Sequence, residues 1–235
     1  MTSMHGKIAI VTGGTQGLGA AIAKLFAERG AKGIVTCGRD QTKGRAKADE
    51  IARATGAAVV FVRADLTRVE DCAKVVAEAD NTFGRVDALV NAAGDTSRGT
   101  IIDTSPELFD KIFAVNTRAP FFLMQDTIRL MRRDKVQGTI VNISSMSAMG
   151  GQSFIAAYCA SKGALDTLTR NAAAQPHPCE RSHYWLDGLG RRAQHAGGVA
   201  WPVCELARAS RRAAAFRPIA RSYRGRARRC VPVVR

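Results

Sequence analysis

Along the first 170 residues, short apolar runs alternate with longer stretches in which apolar positions recur every three or four residues. Lys7 to Thr12, Gly33 to Cys37, Ala58 to Arg63, Ala88 to Asn91 and Thr139 to Ile143 are nearly continuously apolar, the pattern of strands covered on both faces of a parallel sheet. The stretches 17–29, 41–55, 68–83, 105–132 and 157–173 between and after them are amphipathic and long enough to be crossover helices. Strand and helix in regular alternation predict an α/β fold with a doubly wound parallel sheet of Rossmann type. No repeat or low-complexity segment interrupts it.

The pattern stops near residue 172. Gln175-Pro176-His177-Pro178-Cys179-Glu180 has no strand periodicity, and two prolines in four residues argue against a central strand. Charge changes at the same place: the net charge of +15 is uneven, with 22 Lys+Arg against 17 Asp+Glu in residues 1–170. Residues 171–235 carry 13 Arg, no Lys, and only Glu180, Asp187 and Glu205. The chain therefore divides into a body, 1–172, and an Arg-rich tail, 173–235, expected to be irregular or disordered. Non-specific nucleic-acid binding by the tail is an alternative function, but charge without a reading element is weak support for it. No run of 18 apolar residues and no cationic leader followed by an apolar stretch is present, so the expectation is a cytoplasmic protein off the membrane. The six cysteines are too scattered for a redox pair or a zinc site, and no metal is expected.

Candidate chemistry begins directly after the first strand, at Thr12-Gly13-Gly14-Thr15-Gln16-Gly17-Leu18-Gly19. A glycine-rich turn from strand to helix lets backbone N–H groups and a helix N-terminus approach a pyrophosphate with no Cβ in the way. Far along the chain, Tyr158 and Lys162 are spaced i, i+4 and share one helix face. A phenol of pKa about 10 needs roughly 4 kcal/mol of preferential phenolate stabilisation to act as a base near pH 7, and a neighbouring ammonium can supply much of it. Tyr158 then serves as acid in reduction and base in oxidation.

Taken together the motifs resemble the short-chain dehydrogenase/reductase family. The turn has that family's Thr-Gly-x-x-x-Gly-x-Gly spacing, Asp65-Leu66 follows the third strand, and Asn91-Ala92-Ala93-Gly94 closes the fourth. Asn116 lies in Val115-Asn116-Thr117, Ser144-Ser145 ends the fifth strand, and Tyr158-Cys159-Ala160-Ser161-Lys162 follows with Ser145 thirteen residues before Tyr158. The resemblance implies a nicotinamide cofactor held by Gly13, Thr15, Gln16, Gly17, Leu18, Gly19, Arg39, Asp65, Leu66, Asn91, Ala92, Gly94, Tyr158 and Lys162. It implies a catalytic set of Asn116, Ser145, Tyr158 and Lys162, with Ser145 polarising a carbonyl oxygen and Asn116 holding a water that links Lys162 to solvent. The implied reaction is hydride transfer between nicotinamide and a small carbonyl or secondary alcohol, in a family whose members tend to be homo-oligomers, commonly paired through the helices at 105–132 and 157–173. Asp65 has a second reading, as N-cap of the third helix.

The end of the second strand bears on cofactor choice. Gly38 stands where a carboxylate would bind ribose hydroxyls and repel a 2′-phosphate, and Arg39 follows it, which favours NADP(H) over NAD(H). Asp40 beside it and Gln16 at a position where a second basic residue often lies count against that preference.

The tail lacks the family's sixth strand, the turn over the nicotinamide and the seventh strand. Codons for Gln175 to Gly188, read one nucleotide later, permit Asn-Arg-Ile-Arg-Val-Asn-Gly-Leu-Ile-Ile-Gly-Trp-Met, which looks like that missing strand and turn. The same shift from Ala214 to Pro232 permits a Pro-x-Gly-Arg and a Pro-x-Glu-Val-Ala segment, also family-like. A frameshift near Ala172 to Gln175 accounts for both, and for arginine without lysine. The expectation is a sheet without its native sixth and seventh strands, Thr139 to Ile143 left as an exposed apolar edge, and activity lost. The alternative to an active enzyme is a nucleotide-binding remnant without turnover.

Overall fold

The computed structural model describes residues 3–174 with their side chains and the backbone of Arg181–Trp185. Strands β1 (Ile8–Thr12), β2 (Gly33–Gly38), β3 (Ala58–Arg63), β4 (Ala88–Asn91), β5 (Thr139–Ile143) and β6 (Arg181–Trp185) alternate with helices α1 (Gly17–Glu28), α2 (Gln41–Thr55), α3 (Val69–Phe83), α4 (Pro106–Phe113), α5 (Ala119–Arg133) and α6 (Ala156–Ala174). All strand pairs are parallel, in the order β3-β2-β1-β4-β5-β6. The order reverses between β1 and β4, which opens a crevice above their C-terminal ends. Among the described residues no helix is long and apolar enough to cross a membrane.

Each face of the sheet has its own core because side chains alternate along a strand. Ala9 and Val11 of β1 pack with Ile22, Ala23 and Phe26 of α1 and Ile51 of α2. Ile10, between them, belongs to the opposite core with Val75, Val76 and Ala79 of α3 and Leu123 and Met131 of α5. At the N-terminal edge, buried Asp87 clasps the strand beginnings: it accepts from Ile8 N at 2.9 Å, Lys7 Nζ at 3.2 Å and Arg85 Nε at 3.1 Å.

The stretch expected as one helix over 105–132 is two. A widened π turn, Ala114–Arg118, joins α4 to α5, and Asn116 sits in it fully buried. Apolar periodicity does not register one extra residue in a turn, and π turns gather at functional sites. The second difference concerns β5. Its edge was expected to be bare, but Arg181–Trp185 pairs with it in parallel, from Thr139 opposite Arg181 to Ile143 opposite Trp185. Both prolines precede this segment, so neither removes a ladder donor, and an unpaired edge is a template for any extended chain that α6 returns to it. The expectation of an irregular tail is therefore corrected for these five residues. Its other members, and the expected absence of a seventh strand, lie outside the described residues.

Candidate active site

The turn after β1 meets its helix with two glycines that no other residue could replace. Gly13 has φ +71°, and a Cβ on Gly19 would sit 2.4 Å from Gly13 O. Gln16 is the N-cap residue of α1 but gives no side-chain cap, and the first turn holds no acidic residue. The helix thus starts with N–H groups its own side chains leave unused, facing the crevice, which suits an anion.

Beside that turn runs a cleft of about 320 Å³. Gly13, Thr15, Gln16, Gly17, Leu18, Gly19, Arg39, Asp65, Leu66, Ala92 and Gly94 all line it. Thr12 holds its floor: its buried Oγ1 accepts from Ala92 N and Ala93 N, both at 3.0 Å, which ties the end of β4 to the end of β1. Asn91 is not on the wall. Its Nδ2 donates to Asn142 Oδ1 at 2.7 Å, and Asn142 Nδ2 donates to Thr169 Oγ1 at 2.8 Å, a buried polar chain from β4 through β5 to α6.

Arg39 is exposed at the cleft and makes no hydrogen bond or ion pair with the described residues. Asp40 is the N-cap of α2 and accepts from Lys43 N at 3.0 Å, so its carboxylate is engaged away from Arg39. Asp65 is not the N-cap of α3; Arg68 is. Its Oδ1 accepts from Thr67 N at 3.0 Å and Thr67 Oγ1 at 2.9 Å. The Thr67 N–H above all, with Arg39 and Arg68 nearby, holds the Asp65 carboxyl below the usual range. Cys37, also on the wall, is pushed up to about 12 by burial, so it stays a neutral thiol.

The expected catalytic residues Asn116, Ser145, Tyr158 and Lys162 are not among the residues that line this cleft; Asn116 and Lys162 lie next to Gly94, which does. Lys162 is buried, donates from Nζ to Ile143 O at 2.7 Å, and its Nζ is 5.9 Å from the centre of the Tyr158 ring. Tyr158 is half-buried on the first turn of α6. Ser145, half-buried after β5, caps the short 3-10 turn Met146–Met149, with Oγ accepting from Ser147 N at 3.2 Å. Asn116 Nδ2 donates to Asp95 O at 2.9 Å and Ser161 Oγ at 3.0 Å, while its Oδ1 accepts from Asp95 N at 2.8 Å. That bond leaves Oδ1 a second lone pair. A Cβ on Gly94 would lie 3.5 Å from Asn116 Oδ1 and 3.9 Å from Lys162 Nζ, so glycine keeps a gap open between the two.

Three residues at the site were not foreseen: Lys111 and Asp95, both on the cleft and paired at 2.9 Å, and Asn142. Thr12 opens the glycine motif in sequence, but its tie to Ala92 and Ala93 was not assigned there. Asn142 did carry a signal, as an amide inside the apolar run Thr139–Ile143.

Known proteins of similar sequence and fold point to one family. The family model described as short chain dehydrogenase matches residues 7–179. Versicolorin reductase 1 of Aspergillus parasiticus is 39% identical over 168 residues, which cover 71% of this chain and 63% of that protein. L-fucose dehydrogenase of Mus musculus is 34% identical over 174 residues, 74% of this chain and 61% of that one. Among solved structures, a metagenomic short-chain oxidoreductase in complex with NADP superposes with a TM-score of 0.74 at 34% identity, covering 80% of this chain and 85% of that one. The chain spans somewhat less than two thirds of the length of the curated relatives it matches.

Proposed function

This chain belongs to the short-chain dehydrogenase family, and from that membership we propose that its body is the cofactor-binding and catalytic part of an oxidoreductase. The reaction is hydride transfer between a nicotinamide dinucleotide, NADP(H) in preference to NAD(H), and a small carbonyl or secondary alcohol. One observation carries the reading: the glycine turn at the uncapped start of α1, Arg39 and Asp65 line a single cleft together with Gly94, where an added Cβ would lie 3.5 Å from Asn116 Oδ1 and 3.9 Å from Lys162 Nζ. The dinucleotide fits that shape: Gly17, which lines the cleft, has φ +57° and nothing within 4 Å of where a Cβ would stand, and glycine at 19 lets α1 pack close against the turn, so a pyrophosphate can approach the backbone there.

The cofactor, when bound, gives or takes the hydride. The chain's own groups handle position and protons. Ser145 orients the carbonyl oxygen. Tyr158 delivers a proton to that oxygen in reduction and removes it in oxidation, and the buried Lys162 ammonium favours the phenolate that reduction leaves. The gap between Asn116 Oδ1 and Lys162 Nζ holds a water through which the proton is restored from solvent. Arg39 reads the 2′-phosphate, a role supported by its exposure and by its having no hydrogen bond or ion pair with the described residues.

The test uses the chain with its frame corrected by one nucleotide. Tyr158→Phe deletes only the ionisable hydroxyl, so turnover should fall by about 10² to 10⁴ while NADPH affinity stays within about twofold. Turnover within a few fold of the parent removes Tyr158 from the mechanism.

A further inference from the structure

The cleft does not end at Arg39 and Asp65. Both residues also line a second depression of about 410 Å³, whose remaining walls are Arg63, Arg68, Asp71 and Lys74. Four cations face two carboxylates there, and the carboxylates are already engaged. Asp65 closes its own turn through Thr67, and Asp71 Oδ2 accepts from Asp65 N at 2.7 Å. Two of the cations are drawn elsewhere: Arg68 faces Glu70 at 3.8 Å, and Lys74 Nζ reaches Arg63 O at 3.5 Å. The guanidinium of Arg63, like that of Arg39, has no hydrogen bond or ion pair with the described residues.

Register explains why these two guanidiniums, unpaired among the described residues, are neighbours. Arg63 ends β3 directly opposite Gly38, the position at the tip of β2 that lacks a carboxylate, and Arg39 is the next residue. A guanidinium presents a rigid fork suited to phosphate oxygens, and two forks from adjacent strand ends can bind a phosphomonoester from two sides. We propose that Arg63 is a second specificity-determining residue for the 2′-phosphate of an adenosine ribose, supplying from β3 the cation that Gln16 does not supply from the glycine turn. The proposal rests on the NADP(H) reading above and assigns that reading a residue outside the family motifs.

The test measures binding to the full 235-residue chain by titration calorimetry, with 2′-phospho-AMP and AMP as probes. Wild type should prefer the 2′-phosphorylated probe by more than tenfold. Arg63→Gln should lower that affinity about tenfold and leave AMP within twofold, Arg63→Lys should restore part of the loss, and Arg39→Gln with Arg63→Gln should abolish the preference. Unchanged 2′-phospho-AMP affinity in Arg63→Gln, beside a loss in Arg39→Gln, overturns the role of Arg63 and leaves the NADP(H) reading standing. Equal affinity of the wild type for the two probes overturns that reading itself. Because Arg63 is an exposed strand end, a far-ultraviolet spectrum like the parent's is expected of each variant; a collapsed spectrum in Arg63→Gln with an intact Arg63→Lys assigns the effect to folding and overturns the proposal.

Discussion

A single missing methyl group controls the space between Lys162 and Asn116. Gly94→Ala places a Cβ at ordinary contact distance, 3.5 Å from Asn116 Oδ1 and 3.9 Å from Lys162 Nζ, so the fold accepts it while the gap closes. Turnover of the frame-corrected enzyme should drop roughly tenfold, with a thermal midpoint within about 4 °C of the parent. Unchanged turnover means that no water is needed there. At this scale the sequence was most informative where a residue type has few uses. A glycine cluster after a strand and a Tyr-Lys pair at i, i+4 announce themselves, whereas Asp95 and Lys111 gain their places only when distant strands and helices meet.

Elements were legible to within a residue or two wherever a core face imposes period and length, as in α2, α3, β3 and β4. What was lost is what periodicity does not encode, namely the π turn at Ala114–Arg118 and the pairing of Arg181–Trp185 with β5. Pairing at an edge is set by backbone groups, which carry no sequence signature. The opposite, N-terminal end of the sheet depends on one carboxylate. Burial alone would raise the Asp87 pKa, but the Arg85 guanidinium, Ile8 N–H and Lys7 together hold it low. A depressed folded-state pKa gives stability that is fully present above the unfolded-state value, near 3.9, and is lost as pH falls through the folded-state value. Asp87→Asn should therefore cost on the order of 2 kcal/mol at pH 7 and progressively less below about pH 4, as read from urea unfolding across that range. A penalty independent of pH contradicts the linkage.

For the whole molecule, the body and the tail make separable contributions. The family match ends at residue 179, and the cleft beside the glycine turn is lined wholly by residues within 13–115. The 235-residue chain is therefore expected to bind NADPH without measurable carbonyl reduction, and a version with the one-nucleotide shift, whose codons permit a family-like strand and turn, is expected to add turnover to that affinity. Equal reductase activity in the two forms would show that the Arg-rich tail substitutes for what it replaces. The central claim, that the body is a nicotinamide-dinucleotide site built on the Gly13–Gly19 turn, is tested most directly by titrating the 235-residue chain with NADPH and following nicotinamide fluorescence. We predict one saturable site per chain, abolished by Gly19→Val because a Cβ there meets Gly13 O at 2.4 Å. No saturable binding, or binding that Gly19→Val leaves unchanged, would contradict it.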